Sequence, residues 1–249
     1  MTVQRSTAVE PSSVGPSTMT TEESDWWERE RQRLLIEVMS TPAAAHVDVG
    51  CGRGGIAAEL AARGTFVVAV DMHPYDEWRQ HPNVAFVQAD VDKLPFRSGA
   101  FDRLSVLDVI EHVPDDEAVL AELRRVSTDT GRLIVTVPAD PRLWSAHDEA
   151  VGHHRRYEVA TLEARTRRAG FSTRRTSHFF AWLYAPAWLL RNRRHASTRA
   201  EGGRLGAWSA RLLGGIERWW LRRFRLPFGT SLLLVAEAVR LPTPAGERP

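Results

Sequence analysis

The residues most suited to chemistry begin with a glycine-rich segment, D-V-G-C-G-R-G at 48–54, between a predicted strand at 46–50 and a predicted helix at 55–63. Glycines at such a turn let the backbone approach a ligand, and the free N–H groups of the helix N-terminus bind it. The spacing differs from the G-x-G-x-x-G of dinucleotide sites and from the lysine-containing loop of triphosphate sites. An acid on the strand and no lysine in the loop favour a positively charged ligand.

Two further acids follow predicted strands. Asp71 closes the strand at 66–71, and Asp90 follows the strand at 84–88. From the end of the second strand of a nucleotide-binding sheet, a carboxylate accepts hydrogen bonds from ribose hydroxyls. Asp90 is placed to accept one from an adenine amine. A nucleoside with a cationic tail fits this set, and S-adenosylmethionine, with its sulfonium and ammonium groups, is such a ligand.

A second polar group lies in the predicted loop 139–157, after the strand predicted at 131–137. A neutral imidazole suits removal of a proton from an attacking hydroxyl or amine, and a carboxylate can orient it. The alternative is that these residues cap the next helix or fix the loop. A metal site is not expected, because the chain has one cysteine and no second ligand cluster is evident. The candidate catalytic residues are His147, Asp148, His153 and His154.

Strand-like and helix-like segments alternate along the chain, as expected for a parallel sheet with crossover helices. A first helix is predicted from about residue 22 or 24 to Met39, before the first strand. A strand at 101–107 precedes a helix at 116–127 that Asp115 or Asp116 would cap. The remaining predicted segments are helices at 74–80 and 159–169 and strands at 171–178 and 231–239.

Taken together, these segments resemble the class I S-adenosylmethionine-dependent methyltransferases over about residues 44–140. The resemblance is carried by the glycine segment, by Asp71, by the segments 88–90 and 94–96, and by 101–113. It implies an α/β fold: a Rossmann-like, seven-stranded, mostly parallel sheet with helices on both faces, plus the N-terminal helix and a helical insertion before the last strand.

The resemblance also assigns roles to matching positions. The methionine part of the cofactor would lie against Asp48, Gly50, Gly52 and Gly54, with Cys51 a small residue inside that loop. Asp71 would bind ribose and Met72 would pack on adenine. The adenine edge would face Asp90 and Val91, and the carbonyl of Leu107 would accept from the amino group.

Outside this region, an aromatic pair before the first strand and an H-D…H-H-R-R-Y segment at 147–157 resemble a subgroup of small bacterial methyltransferases. That subgroup has no defined acceptor, so the resemblance supports the reaction class and not a substrate. The predicted substrate contacts are Trp26, Trp27, His112, Trp144, Arg156 and Tyr157.

Charge is distributed unevenly. Residues 153–226 contain 17 Arg and 4 Glu and carry +13, so the rest carries −11 of the overall +2. Much of the excess lies in the insertion at 179–228, where a basic, tryptophan-rich amphipathic helix is predicted at about 204–225. Packing on its own domain, peripheral membrane contact through 179–226 and an oligomer contact remain open alternatives for it. We expect a monomer or homodimer.

The chain is expected to comprise a disordered tail at 1–24 and one methyltransferase domain at 25–249, located in the cytoplasm or peripherally at the membrane. The predicted function is methyl transfer to an oxygen or nitrogen of a small molecule, with natural-product and lipid-linked acceptors included. The alternatives are a nucleic-acid methyltransferase, which the absence of a recognised nucleic-acid module disfavours, and a cofactor-binding regulator without transfer chemistry.

Overall fold

The computed structural model describes residues 25–39, 45–75, 82–191 and 204–240, and for residues 25–27 and 204–210 it describes the backbone alone. A seven-stranded sheet forms its centre. The strands are β1 (His46–Val49), β2 (Val67–Asp71), β3 (Val84–Gln88), β4 (Phe101–Leu107), β5 (Ser127–Pro138), β6 (Phe171–Phe179) and β7 (Ser231–Ala238).

The order across the sheet is β3-β2-β1-β4-β5-β7-β6. The first five strands pair in parallel, and β7 lies antiparallel to both β5 and β6. The chain order reverses at β1, which lies between β2 and β4. A crevice opens beyond the carboxyl ends of such strands, and ligands of open α/β sheets bind there. The predicted fold class is confirmed.

Helices cover both faces of the sheet. On one face, α3 and α5 bury Leu120, Leu123 and Leu162 against the strands. On the other, α1 and α2 bury Leu35 and Leu60. The helices are α1 (Asp25–Met39), α2 (Gly55–Ala62), α3 (Asp116–Val126), α4 (Ala146–Ala150), α5 (Val159–Arg168), α6 (Tyr184–Leu190) and α7 (Arg204–Leu221).

The largest difference from the predicted elements is the start of β5, at Ser127 and not at 131. The chain enters the sheet directly after α3, because Ser127 pairs with Phe101 and the ladder bulges before Arg103 pairs with Arg132. The extra residues of the bulge include Asp129, which reads as a turn residue in the sequence. Of the two candidates for the α3 cap, Asp115 accepts a hydrogen bond from Ala118 N at 3.0 Å.

Two predicted segments fall outside the described residues: the tail 1–24 and most of the helix at 74–80. The insertion between β6 and β7 is helical at 181–190 and 204–221, and residues 222–230 return to the sheet without helix. Its α7 packs on α1, where Arg218 forms an ion pair with the buried Glu30. Among the helices that the structure describes, none combines the length and apolarity needed to cross a bilayer.

Candidate functional site

The glycine-rich segment forms a tight turn between β1 and α2. Gly50, Gly52 and Gly54 have φ angles of 73°, 53° and 79°. These angles lie in the left-handed region, which side chains with a Cβ atom disfavour. At Gly50 the space is also taken, because a Cβ atom there would lie 2.3 Å from Cγ2 of Val109. The sequence therefore requires glycine at this position for both conformation and close approach.

Asp71 ties this turn to the end of β2. Its Oδ2 accepts a hydrogen bond from Gly52 N at 2.9 Å, and its Oδ1 accepts one from His73 N at 3.0 Å. Each carboxylate oxygen has a further lone pair, so the group retains capacity for two ribose hydroxyls. The position predicted to bind ribose thus lies beside the glycine turn.

Asp48 is buried at the end of β1 and is linked to a short polar chain. Ser105 donates a hydrogen bond to Asp48 Oδ1 at 2.5 Å, and His46 Nε2 lies 2.9 Å from the same hydroxyl. Burial raises the pKa of Asp48 from 3.8 to about 6. Burial, reinforced by Arg103, lowers the pKa of His46 to about 4, so the imidazole is neutral. A cation bound beside Asp48 would therefore stabilise its ionised form.

The residues predicted to face adenine lie along the same edge of the sheet. Met72 has 54% of its surface exposed, which suits packing on a flat ligand. Ala89 N donates to Asp71 O at 3.1 Å, which places the exposed Asp90 beside the end of β2. Val91 is half-buried, and Leu107 closes β4 next to β1. Burial raises the pKa of the Cys51 thiol, so the thiol stays protonated and is no nucleophile.

A second group of side chains, here called the polar cluster, consists of Glu111, His112, Asp148 and His153. Glu111 and His112 lie in a 3-10 turn, Ile110–His112, shortly after β4. His153 Nδ1 lies 2.8 Å from Asp148 Oδ1, and its Nε2 lies 4.0 Å from Glu111 Oε1. The rings of His112 and His153 meet edge to face, with centroids 4.6 Å apart. Two of the four predicted catalytic residues, Asp148 and His153, thus lie beside two residues of the turn after β4.

Asp148 is the fixed point of the polar cluster. It is fully buried and also accepts from Arg156 Nε at 2.8 Å and from Ser145 N at 2.9 Å. Burial alone would raise its pKa, but the hydrogen bonds from His153 and Arg156 lower it to about 2. Because the carboxylate is ionised, Nδ1 of His153 carries the proton and donates. In the neutral imidazole the lone pair is then on Nε2, the atom that lies 4.0 Å from Glu111 Oε1.

Glu111 was not predicted to carry chemistry. Its side chain is buried, yet neither carboxylate oxygen has a hydrogen-bond partner among the described residues. Burial, followed by the charge of Asp108, places the pKa of Glu111 well above its ordinary value. The sequence signal that could have identified it is the Glu-His pair shortly after a strand that ends at the cofactor crevice.

Tyr157 requires a correction. It was predicted to contact substrate, but its side chain is 1% exposed, and its hydroxyl donates to Asp116 Oδ2 at 2.6 Å. Its backbone pairs with that of Ala139 in an isolated parallel bridge, which closes the base of the loop 139–157. In this structure Tyr157 therefore supports the loop from below and does not line the crevice.

The other predicted residues of this loop have different surroundings. The side chains of His147 and His154 are exposed, and Trp144 is half-buried; the backbone N of His154 donates to Glu111 O at 2.7 Å. Arg156 is engaged by Asp148 and by the carbonyl of Ala139 at 3.1 Å, which leaves it a role in holding the loop. Trp26 and Trp27 lie in α1, but their side chains are outside the described part of the structure. Their predicted contacts stay predictions.

Sequence reasoning also missed how α1 reaches the crevice. Arg31 forms an ion pair with Asp108 at 2.7 Å, directly after β4. Asp108 has a left-handed φ of 54° and accepts from Thr136 Oγ1 at 2.9 Å. No local pattern in the sequence pairs a residue of the first helix with the end of the fourth strand.

Comparison with known proteins connects this geometry to one enzyme class. Residues 47–135 match the family Methyltransf_11, described as a methyltransferase domain. A ubiquinone biosynthesis O-methyltransferase from Xanthomonas axonopodis pv. citri is 31% identical over 209 residues, which cover 71% of this chain and 85% of that protein. A demethylmenaquinone methyltransferase from Beutenbergia cavernae is 30% identical over 127 residues, which cover 50% of this chain and about half, 52%, of that protein's length.

The fold has solved counterparts as well. The crystal structure of 1,6-didemethyltoxoflavin-N1-methyltransferase from Burkholderia thailandensis, with its acceptor and S-adenosylhomocysteine bound, superimposes with a TM-score of 0.56. The two chains are 20% identical, and the match covers 88% of this chain and 80% of the other. At this identity the likeness concerns the fold.

Proposed function

Because the chain belongs to the class I S-adenosylmethionine-dependent methyltransferases, we propose that it transfers the cofactor's methyl group to an oxygen or nitrogen of a small-molecule acceptor. One observation carries the proposal. The segment after β4 joins the two parts of the site, since Val109 lies against Gly50 of the glycine turn and Glu111, two residues on, begins the polar cluster. Cofactor and acceptor groups therefore belong to one crevice.

The reaction needs positioning above all. A lone pair of the acceptor oxygen or nitrogen forms a bond to the methyl carbon while the carbon–sulfur bond breaks. The electron pair of the carbon–sulfur bond stays on sulfur, which leaves S-adenosylhomocysteine as a neutral thioether. The acceptor loses its proton. Holding nucleophile, carbon and sulfur in line supplies much of the acceleration.

His153 is the group that we assign to activation of the acceptor. Asp148 fixes the ring through Nδ1, and the Nε2 lone pair is directed toward the side of the polar cluster on which Glu111 lies. We favour it over the other predicted candidates because the side chains of His147 and His154 are exposed, whereas that of His153 is held by the buried Asp148.

The acceptor class that we favour is a hydroxylated ring carried on a lipophilic chain. Two relatives act, by their names, in ubiquinone biosynthesis and on demethylmenaquinone. The support from this chain is the apolar surface of the insertion, described below. Nitrogen acceptors and natural products without a lipid chain are the alternatives to be screened beside it.

The test measures cofactor binding and turnover separately. Purified protein is mixed with S-adenosylmethionine and phenols, amines, acids or lipid-linked phenols, and release of S-adenosylhomocysteine is recorded. His153→Asn should bind cofactor normally and turn over about 10²- to 10⁴-fold more slowly, the usual contribution of a positioned proton-transfer group. His154→Asn is the matched control and should resemble the wild type.

Cofactor binding without product for every acceptor would indicate a regulator without transfer chemistry instead, and full activity of His153→Asn would refute the role of His153.

We also propose that the insertion docks on an anionic membrane surface. The side of α7 away from α1 exposes Leu212, Ile216 and Trp219 at 50%, 54% and 58%. The acid of its described part, Glu217, is buried, where Phe180 N and Ala181 N donate to it. Exposed arginines lie in or just after α7: Arg211, Arg223 and Arg225, while Arg222, also exposed, pairs with Glu37 of α1 at 3.2 Å. Apolar side chains with an arginine rim suit the interface of a membrane that contains anionic lipids.

Sedimentation with vesicles tests this surface. The full chain should bind phosphatidylglycerol vesicles, bind phosphatidylcholine vesicles weakly and lose binding in the double variant Ile216→Ser, Trp219→Ser. Phe66→Ser, an exposed aromatic elsewhere, is the control. Dimerisation through the same face, seen as a mass change that the double variant abolishes, or salt-sensitive RNA binding without vesicle binding, would count against the membrane.

A further inference from the structure

A cation site lies within the polar cluster, at the carboxyl end of β4. The side chains of Glu111, His112 and His153 each offer one ligand atom, and these atoms lie within 4.8 Å of one another. The geometry points to a divalent transition-metal ion, such as Zn²⁺ or Mn²⁺, held by these three residues. The inference rests on the proposed function and specifies how His153 serves it: the imidazole acts as a metal ligand.

The donor set suits such a cation. Two imidazole nitrogens and one carboxylate, with further positions open, form a common ligand set of catalytic zinc and iron sites. Zinc bonds of about 2.0–2.2 Å to nitrogen and oxygen place tetrahedral ligands about 3.4 Å apart. Glu111 Oε1 and His153 Nε2 are 4.0 Å apart, so small side-chain rotations close the difference.

The buried carboxylate of Glu111 is the independent observation that a ligand is needed. Its side chain is 1% exposed, and both oxygens lack a hydrogen-bond partner in the described structure. A buried carboxylate without a partner is costly, and a bound cation removes that cost. Arg31 forms its ion pair with Asp108, and the charges of Arg31 and Arg156 act on Glu111 without a hydrogen bond to either of its oxygens.

The surroundings of His153 match those of a metal-ligating histidine. Its Nδ1 donates to the buried Asp148, which leaves Nε2 for the cation, and carboxylates hold ligating histidines in this way. Arg156 and Ser145 hold Asp148 in turn. His112 is exposed, so a cation from solvent has access to the site.

The consequence for the reaction concerns the acceptor. An acceptor hydroxyl that occupies an open position on the cation loses its proton to water more readily, because the cation stabilises the oxyanion. The oxyanion then attacks the methyl carbon. The electron pair of the breaking carbon–sulfur bond stays on sulfur, as in the reaction described above. This arrangement favours oxygen acceptors over amines.

Cobalt titration tests the site without reference to activity. The full chain is stripped with EDTA, dialysed and titrated with Co²⁺, whose visible absorption reports nitrogen and oxygen ligation. We expect one saturable site per chain, which Glu111→Gln and His112→Asn abolish and Asp148→Asn weakens about 10- to 100-fold. His154→Asn, the exposed neighbour, should bind Co²⁺ as the wild type does. Because His112 is exposed, its variant remains folded even if the Glu111 variant does not, and S-adenosylhomocysteine binding verifies this.

The results separate the inference from the proposed function. The inference is overturned if the wild type has no saturable site, or if His112→Asn retains it. It is equally overturned if methylation of a phenol proceeds unchanged after EDTA, a result that leaves the methyltransferase intact. Saturable Co²⁺ binding that requires Glu111 and His112, in a protein that methylates no acceptor, supports the site and refutes the function.

Discussion

The glycine turn offers a quantitative prediction, because a Cβ atom added at two of its glycines would meet very different surroundings. Gly50 and Gly52 both have left-handed φ angles, but a Cβ atom at Gly50 would lie 2.3 Å from Val109 Cγ2, whereas one at Gly52 would meet nothing within 4 Å. Left-handed backbone costs an alanine about 1–2 kcal/mol. Overpacking adds about 1–3 kcal/mol. Gly52→Ala should therefore lower the free energy of unfolding by about 1–2 kcal/mol and Gly50→Ala by about 2–5 kcal/mol.

Urea denaturation of the cofactor-free protein measures both values, and a double-mutant cycle isolates the contact. In a Val109→Ala background, the cost of Gly50→Ala should fall most of the way to that of Gly52→Ala, since the two Cγ atoms at 2.3 and 3.0 Å are gone and only Cβ of residue 109, at 3.2 Å, remains close. The reasoning is refuted if Gly50→Ala and Gly52→Ala differ by less than about 0.5 kcal/mol, the usual limit of additivity for independent sites. A Val109→Ala background that leaves the difference unchanged would refute it as well.

Two further predictions concern the cofactor. Asp71→Ala should weaken S-adenosylmethionine binding by about 1.5–3 kcal/mol, measured by calorimetry, because the ribose hydroxyls lose a charged acceptor; an unchanged dissociation constant would exclude the contact. The pKa of Asp48 is raised from 3.8 to about 6, so its contribution to the stability of the cofactor-free protein is present below its ordinary pKa and is lost as the pH rises through about 6. A cationic ligand favours the ionised form, so affinity should rise over the same interval, and Asp48→Asn should flatten both profiles; equal slopes in wild type and variant would contradict this assignment.

The cofactor side of the crevice was readable in the sequence because its determinants are local. Each strand of the parallel part brings its own acid or glycine to the same edge, so Asp48, Asp71 and Asp90 could be assigned to one edge from strand order alone. The left-handed turn was readable for the same reason, since glycine at 50, 52 and 54 has a direct conformational meaning. The start of β5 could not be predicted from local sequence, because Ser127 joins the sheet by pairing with Phe101 of the neighbouring strand.

The polar cluster shows where sequence reasoning stops. Three histidines and one tyrosine of the segment 147–157 were comparable candidates for the site in the sequence. Only their positions in the folded chain distinguish them. His153 meets Asp148 within its own loop, but its other partners, Glu111 and His112, come from the turn after β4. Burial distinguishes Tyr157 from a surface residue, and burial depends on how the loop closes at Ala139.

The contacts of α1 have a consequence for how the molecule responds to its surroundings. Adjacent residues on this helix point to different partners: Glu30 pairs with Arg218 of α7, and Arg31 pairs with Asp108 at the crevice. The helix α1 thus connects the arginine-rich insertion to the end of β4 through ion pairs of two neighbouring residues. A displacement of α7 that pulls on Glu30 would therefore act on the same helical turn that holds Arg31 against Asp108.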